Sequence, residues 1–431
     1  DTSEPWYGLY YDTRAQVIEL PHLEPGDVID IEYIIADVSA RNMFGSYFGD
    51  MQSLAEDLPR LETDYVLIAP RSRKLYFNKP EVKGARRPVE LTESDRGDER
   101  IYRFHAEGVP RIRTEPGMPG LTSLGAYVHV STFESWEQMA EWYRGLVREQ
   151  LEPDDEIRKA VKATLSEVAE RAKAAHRPPD RERDEREKIG AIYDLVVKST
   201  RYVGLEFGIH GYKPYRVSQV FQRKFGDCKD KASLLVAMLK LAGVDASLVL
   251  VRTRRGGDIA TYPASLAPFD HAIAWVPRYD LFLDGTAEFS GSGELPAQDQ
   301  DVPVLIVSDP RTGGRGHLVR TPVPGASHNR VVREQEVTLL PSGDAQVQLR
   351  MEVAGQSAHE WRSHYQSPGE RRERLEKAEN GAHPGARAIE VEFPSLEELE
   401  QPVRMKARLE VPTWARTQTG SGAGTALSMP A

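Results

Sequence analysis

Apolar and polar residues alternate along the first third of the chain. In "DVIDIEYIIADV" (27–38), Ile29, Ile31, Tyr33 and Ile35 fall on one side and Asp30 and Glu32 on the other. A period of two predicts a strand. "YVLIAP", "KLYF", "RIYRFHAEGV" and "AYVHVST" follow, each bounded by Pro, Gly or charged clusters. Closely spaced strands with no helical pattern between them predict an antiparallel β-sandwich over residues 1–132.

The period then changes. "STFESWEQMAEWYRGLV" places Trp136, Met139, Ala140, Tyr143 and Val147 on one helical face behind a Ser135–Gln138 capping box. Ile157, Val161, Leu165, Val168 and Ala172 make a second stripe, and Ile189, Ile192, Tyr193, Val196 and Val197 a third. The charge run "AHRPPDRERDEREK" between them reads as a solvated loop and helix start. Strands at 246–253, 271–277 and 280–285 complete an α+β core over 133–310. The Gly/Pro-rich 311–329 reads as a linker. From 330 to 431 a hairpin, a further strand and one charged helix predict a mostly-β domain. The expected fold class is thus multidomain, with both β domains cut short, the first at its start and the last at its end.

Composition narrows the function. A chain of 431 residues exceeds one ordinary core. Its formal charge of -10, with no aromatic-basic ribbon, argues against nucleic acid as a partner. No apolar run approaches the length of a membrane span. A single cysteine rules out an internal disulfide framework and a Cys-rich zinc site. With no H-E-x-x-H and no close His pair on a helix, no metal or other cofactor is expected.

That cysteine, Cys228, sits in "RKFGDCKDKASLLVAMLKLAGV". Asp227 is the expected N-cap, Cys228 the first helical residue, Asp230 the third, and Gly243 the stop. Apolar residues cover so much of this helix that it belongs in the interior. A lone cysteine commonly just packs. At a helix start, however, free N–H groups and the helix dipole favour a thiolate and offer an oxyanion site.

A nucleophilic cysteine needs a base and the base an orienting group. His210, in "EFGIHGYKP", is one candidate. His271 opens the strand "HAIAWVP", and Asp284 ends the next strand after a short "PRYD" connection. In such a hairpin the two meet at one sheet end, giving an imidazole a carboxylate on one nitrogen and a thiol on the other. For the oxyanion donor Tyr202, Tyr212 and Gln222 are the candidates.

These stretches, with "RYVGLEFGIHGYKPYRVSQVFQRKFGDCKDKASLLVAML" upstream, resemble the transglutaminase-like superfamily, whose cysteine arrangement is of the papain type. The early "LYYDTRAQVIELPHLEPGDVIDIEY" resembles a β-sandwich domain of unknown function that precedes this core in bacterial members. The resemblance implies Cys228 as nucleophile, His271 as base and then acid, and Asp284 as orienting carboxylate. It implies thioester chemistry on a peptide or protein substrate, as a cysteine-type peptidase, amide hydrolase, deamidase or transglutaminase, in the bacterial periplasm or secreted. Calcium, used by some animal transglutaminases, is not expected, because "DQDVPV" and "EPDDE" lack the spacing of a calcium loop. The competing reading is a non-catalytic scaffold that uses its β domains for partners. The loop 252–269 is long enough to act as a lid.

Overall fold

The computed structural model describes residues 8–11, 17–20, 22–35, 44–259, 261–394, 396–419 and 425–428. The N-terminal unit holds two three-stranded antiparallel sheets. In one, Glu99–Val109 runs between Arg60–Pro70 and Glu90–Arg96; in the other, Tyr127–Ser131 runs between Gly49–Ser53 and Tyr76–Phe77. Leu54, Tyr102, Phe104, Ala126 and Val128 pack between them. The alternation read in the sequence therefore buries one face of each sheet.

The expected strand at 27–38 is not formed where it is described. Residues 27–35 pair with no strand, and Val28, Ile34 and Ile35 are almost fully exposed. Alternation makes a strand only where a neighbouring edge supplies hydrogen bonds. Residues 36–38 lie outside the described residues. Gly8–Tyr11, by contrast, pairs in parallel with Arg201–Glu206 of the central unit.

That unit packs five helices, Trp136–Val147, Asp155–Ala174, Arg181–Ser199, Val217–Arg223 and Cys228–Leu241, against a five-stranded antiparallel sheet. The sheet runs, edge to edge, Leu281–Leu283, His271–Val276, Ser247–Val251, Pro303–Asp309, Arg315–Arg320. The Cys228 helix lies in the middle, with Leu234, Leu235, Met238 and Leu239 fully buried. The expected linker at 311–329 needs correction, since Arg315–Arg320 is the sheet's edge strand. Gly313 and Gly314 have φ of 75° and 86° and close a tight turn. The glycines there serve a hairpin.

The C-terminal unit is a four-stranded antiparallel sheet, ordered Arg330–Leu339, Ala345–Ala354, Val403–Val411, Arg387–Glu392. Helices Gln356–Tyr365 and Arg371–Asn380 are part of it. The first was not expected, because only Ala358, Trp361 and Tyr365 supply its apolar side. Its Arg362, fully buried, donates to the carbonyls of Leu399 and Gln401 and to that of Phe289 in the central unit.

Candidate active site

The local sequence fixes the start of the Cys228 helix. Asp227 caps it, accepting from the Asp230 N–H at 3.1 Å, and Asp230 reaches back to the Asp227 N–H to complete a capping box. Asp230 also accepts from the Tyr215 N–H at 2.8 Å and from Arg223 Nη2 at 2.7 Å. One buried carboxylate thus ties the preceding loop and helix to the turn that carries Cys228. Lys229 is buried with Asp227 as its partner and Glu206 3.5 Å away.

Cys228 and His271 line one cleft of about 300 Å³, with Tyr143, Glu206, Tyr212, Lys229, Leu266 and Phe269 among its walls. His271 opens its strand, and pairing with the next strand ends at Ala274–Leu283, so Asp284 lies one residue past the ladder. From there its Oδ2 comes within 3.2 Å of His271 Nε2, though the two atoms are not aligned as a good hydrogen bond. The other oxygen, Oδ1, accepts from the Thr286 N–H at 2.8 Å and from its hydroxyl at 2.7 Å. Tyr193 donates to the Asp284 carbonyl at 3.0 Å.

Charge follows from this geometry. Burial works against a charged His271, but the Asp284 carboxylate and then Cys228 outweigh it and hold the imidazole's pKa well above its ordinary value. Burial likewise works against Asp284, yet His271 and the two Thr286 donors pull its pKa down. The pair is an imidazolium–carboxylate pair. Lys231, one turn into the helix, is pushed down to about 8 by burial and donates to the Thr200 carbonyl at 2.7 Å.

Cys228, His271 and Asp284 are therefore brought together. Among the oxyanion candidates, Tyr212 forms part of the cleft wall. Tyr202 is kept protonated by burial and then by Cys228. Gln222 is exposed on the Val217–Arg223 helix and is not part of the cleft wall. His210 is stacked on Tyr215 with Nδ1 3.0 Å from the Lys213 carbonyl, which explains why it does not serve as base. Sequence reasoning read Tyr143 only as a core residue of its helix. It is buried there, but it also borders the cleft and donates to the Tyr212 carbonyl at 3.0 Å.

Sequence reasoning also missed Asp299. Its segment was noticed only as an acidic stretch without calcium spacing, and no periodicity marks a loop side chain as inward. It is fully buried, with Oδ2 3.9 Å from His271 Nε2. His271, Asp284 and Asp299 are also the kind of donor set that could hold a metal ion, each offering one ligand atom within 4.8 Å of the others.

The 252–269 loop is anchored rather than free. Leu266 N–H donates to the Tyr47 hydroxyl at 2.9 Å, Ser265 Oγ lies 2.6 Å from His129 Nε2, and Asp258 N–H donates to Ser123 Oγ at 2.8 Å. The N-terminal unit supplies all three partners. A loop so held forms a fixed wall to the cleft.

Residues 2–113 match the model of a domain of unknown function with solved structure, DUF3857, and residues 172–280 match that of the transglutaminase-like superfamily. The second match takes in Cys228 and His271 and stops just short of Asp284. A search of curated proteins finds no match. Among solved structures, a proposed protease from Parabacteroides distasonis is similar at 12% identity, with 86% of this chain and 70% of that chain covered and a TM-score of 0.47. A proposed cysteine protease from Cytophaga hutchinsonii is similar at 14% identity, with 56% of this chain and 78% of that chain covered and a TM-score of 0.19. No helix among the described residues is long and apolar enough to cross a membrane. The chain carries a transglutaminase-like domain preceded by a DUF3857 domain.

Proposed function

We propose that the protein is a thiol-dependent acyl hydrolase or transferase acting on peptide or protein amides, with Cys228 as nucleophile, His271 as base and acid, and Asp284 as the orienting carboxylate. One observation supports this above the others: His271 stands between Cys228 and Asp284 at the head of a buried helix, with Asp284 3.2 Å away. A cysteine filling space would need neither partner.

The chemistry follows. The Cys228 thiolate adds to the amide carbon, and the oxygen takes the charge. Helix N–H groups and a protonated Tyr202 or Tyr212 are placed to donate to it. The His271 imidazolium gives its proton to the leaving nitrogen, the C–N bond breaks, and a thioester remains. Water then attacks the thioester while His271 takes its proton, and the acid leaves as the thiol is regenerated. An amine in place of water gives transamidation by the same steps. Hydrolysis is the first expectation, since water is the default acceptor.

The test uses the chain's one thiol. Iodoacetamide labelling of the native protein is followed from pH 4 to 9, beside His271→Ala. Labelling that stays fast at pH 6 and slows by about tenfold or more in the variant supports an activated pair. Equal rates in both proteins, or labelling only after denaturation, would leave Cys228 as packing in a non-catalytic scaffold.

A further inference from the structure

Asp299 closes the short 3-10 turn Ala297–Asp299, outside the elements that carry Cys228, His271 and Asp284. The turn is held from two sides. Arg254 N–H donates to the Gln298 carbonyl at 2.8 Å, and the Thr321 hydroxyl donates to the Asp299 carbonyl. The carboxyl is thereby set at the end of the sheet, where one ligand-type atom from each of His271, Asp284 and Asp299 lies within 4.8 Å of the others.

Four atoms of this cluster are buried without a hydrogen-bond partner: His271 Nε2, Asp284 Oδ2 and both oxygens of Asp299. Two carboxylates can only accept, so side by side they cannot satisfy each other. Two buried anions beside one imidazolium also leave a negative charge uncompensated, which is costly away from water. The buried cation Lys231 is bonded to the Thr200 carbonyl instead. One proton placed on Asp299 resolves both problems. It turns an acceptor into a donor and removes one charge.

We infer that Asp299 is a positioning residue that stays protonated and donates to Asp284 Oδ2, so that Asp284 remains the one anion facing His271. The inference rests on the Cys228–His271–Asp284 reading. Asp284 then has donors on both oxygens, Thr286 on Oδ1 and Asp299 on Oδ2, and cannot rotate away from the ring. Burial raises the Asp299 pKa; His271 opposes this and Asp284 adds to it, leaving the carboxyl at about 8. The other titratable groups around the cluster are Cys228 and Lys231 from the helix, Glu288 beyond Asp284, Asp270 ahead of the His271 strand, Tyr193 and Tyr202.

The experiment is the pH profile of iodoacetamide labelling at Cys228 in the intact chain, for the wild type, Asp299→Asn, Asp299→Leu and His271→Ala. An amide still donates but carries no charge. Asp299→Asn should therefore keep the wild-type profile, while Asp299→Leu moves its ionisation step by about one pH unit and slows labelling by about tenfold. If Asp299→Leu does not fold, Asp299→Ala gives the same contrast without apolar bulk. An Asp299→Asn profile displaced as far as that of the apolar variant would mean that the charge acts, and the inference falls. So it does if neither variant moves a profile that still depends on His271. A profile indifferent to His271→Ala overturns the triad itself and the inference with it.

Discussion

Arg362 Nη1 donates to the carbonyl of Phe289 at 2.8 Å, and so joins the C-terminal unit to the segment that follows Asp284. The same segment is held again by Ser290 Oγ, 3.1 Å from His359 Nδ1, and by Ser292, whose N–H and hydroxyl donate to the Glu400 carboxylate at 2.7 and 3.0 Å. The C-terminal unit thus braces the chain just behind the proposed orienting carboxylate.

Arg362→Met removes a buried cation and strands three carbonyls. The expected loss of stability is about 3 kcal/mol, read from urea unfolding. Labelling of Cys228 should slow as well, because Asp284 loses its brace. A lower midpoint with unchanged labelling would confine Arg362 to holding the units together.

Asp227→Ala breaks the cap of the Cys228 helix and leaves Lys229 buried without its nearest anion. The cap alone is worth about 1 kcal/mol, and the stranded lysine brings the expected loss to about 3 kcal/mol. Asp227→Asn keeps the capping oxygen and should recover roughly the first part. Unfolding midpoints of the two variants, compared with the wild type, decide whether cap and ion pair contribute separately.

Tyr47→Phe deletes the hydroxyl that accepts from the Leu266 N–H. An unpaired buried donor costs about 1–3 kcal/mol, and here the loss falls on one loop. Trypsin should cut after Arg254 or Arg255 several times faster in the variant than in the wild type, with little change in the global midpoint. Unchanged cleavage would show that the loop does not depend on this anchor.

The His271–Asp284 pair also shapes stability against pH. His271 has a raised folded pKa, so its contribution is complete below the unfolded value of about 6.5 and declines as pH rises through the folded value. Asp284 has a depressed folded pKa, so its contribution is complete above the unfolded value of about 3.9 and declines as pH falls toward its folded value. The stability difference between wild type and His271→Ala should therefore be greatest near pH 5–6 and shrink above pH 6.5. Urea melts at pH 5, 6, 7, 8 and 9 check the sign; a difference that grows with pH contradicts it.

Local signals made much of this legible. The cap at Asp227, the stop at Gly243, the helix faces of Trp136–Val147 and Arg181–Ser199, and the hairpin that sets His271 near Asp284 all involve residues close in sequence. Short-range sterics and periodicity encode such features directly. The same reasoning failed at 27–35 and 315–320. A pattern of alternation does not say whether a partner edge exists, and glycines in a turn look the same in a hairpin as in a linker.

The sequence by itself determined that one thiol stands at the head of a buried helix, with a histidine and an aspartate on a following hairpin. Only the tertiary structure decided that Asp299 joins them, that Tyr47 and His129 of the N-terminal unit anchor the loop beside the cleft, and that Arg362 braces the chain behind Asp284. These contacts link residues far apart along the chain. Nothing local marks them, because each exists only once separate units have packed and a buried polar group has had to find its partner.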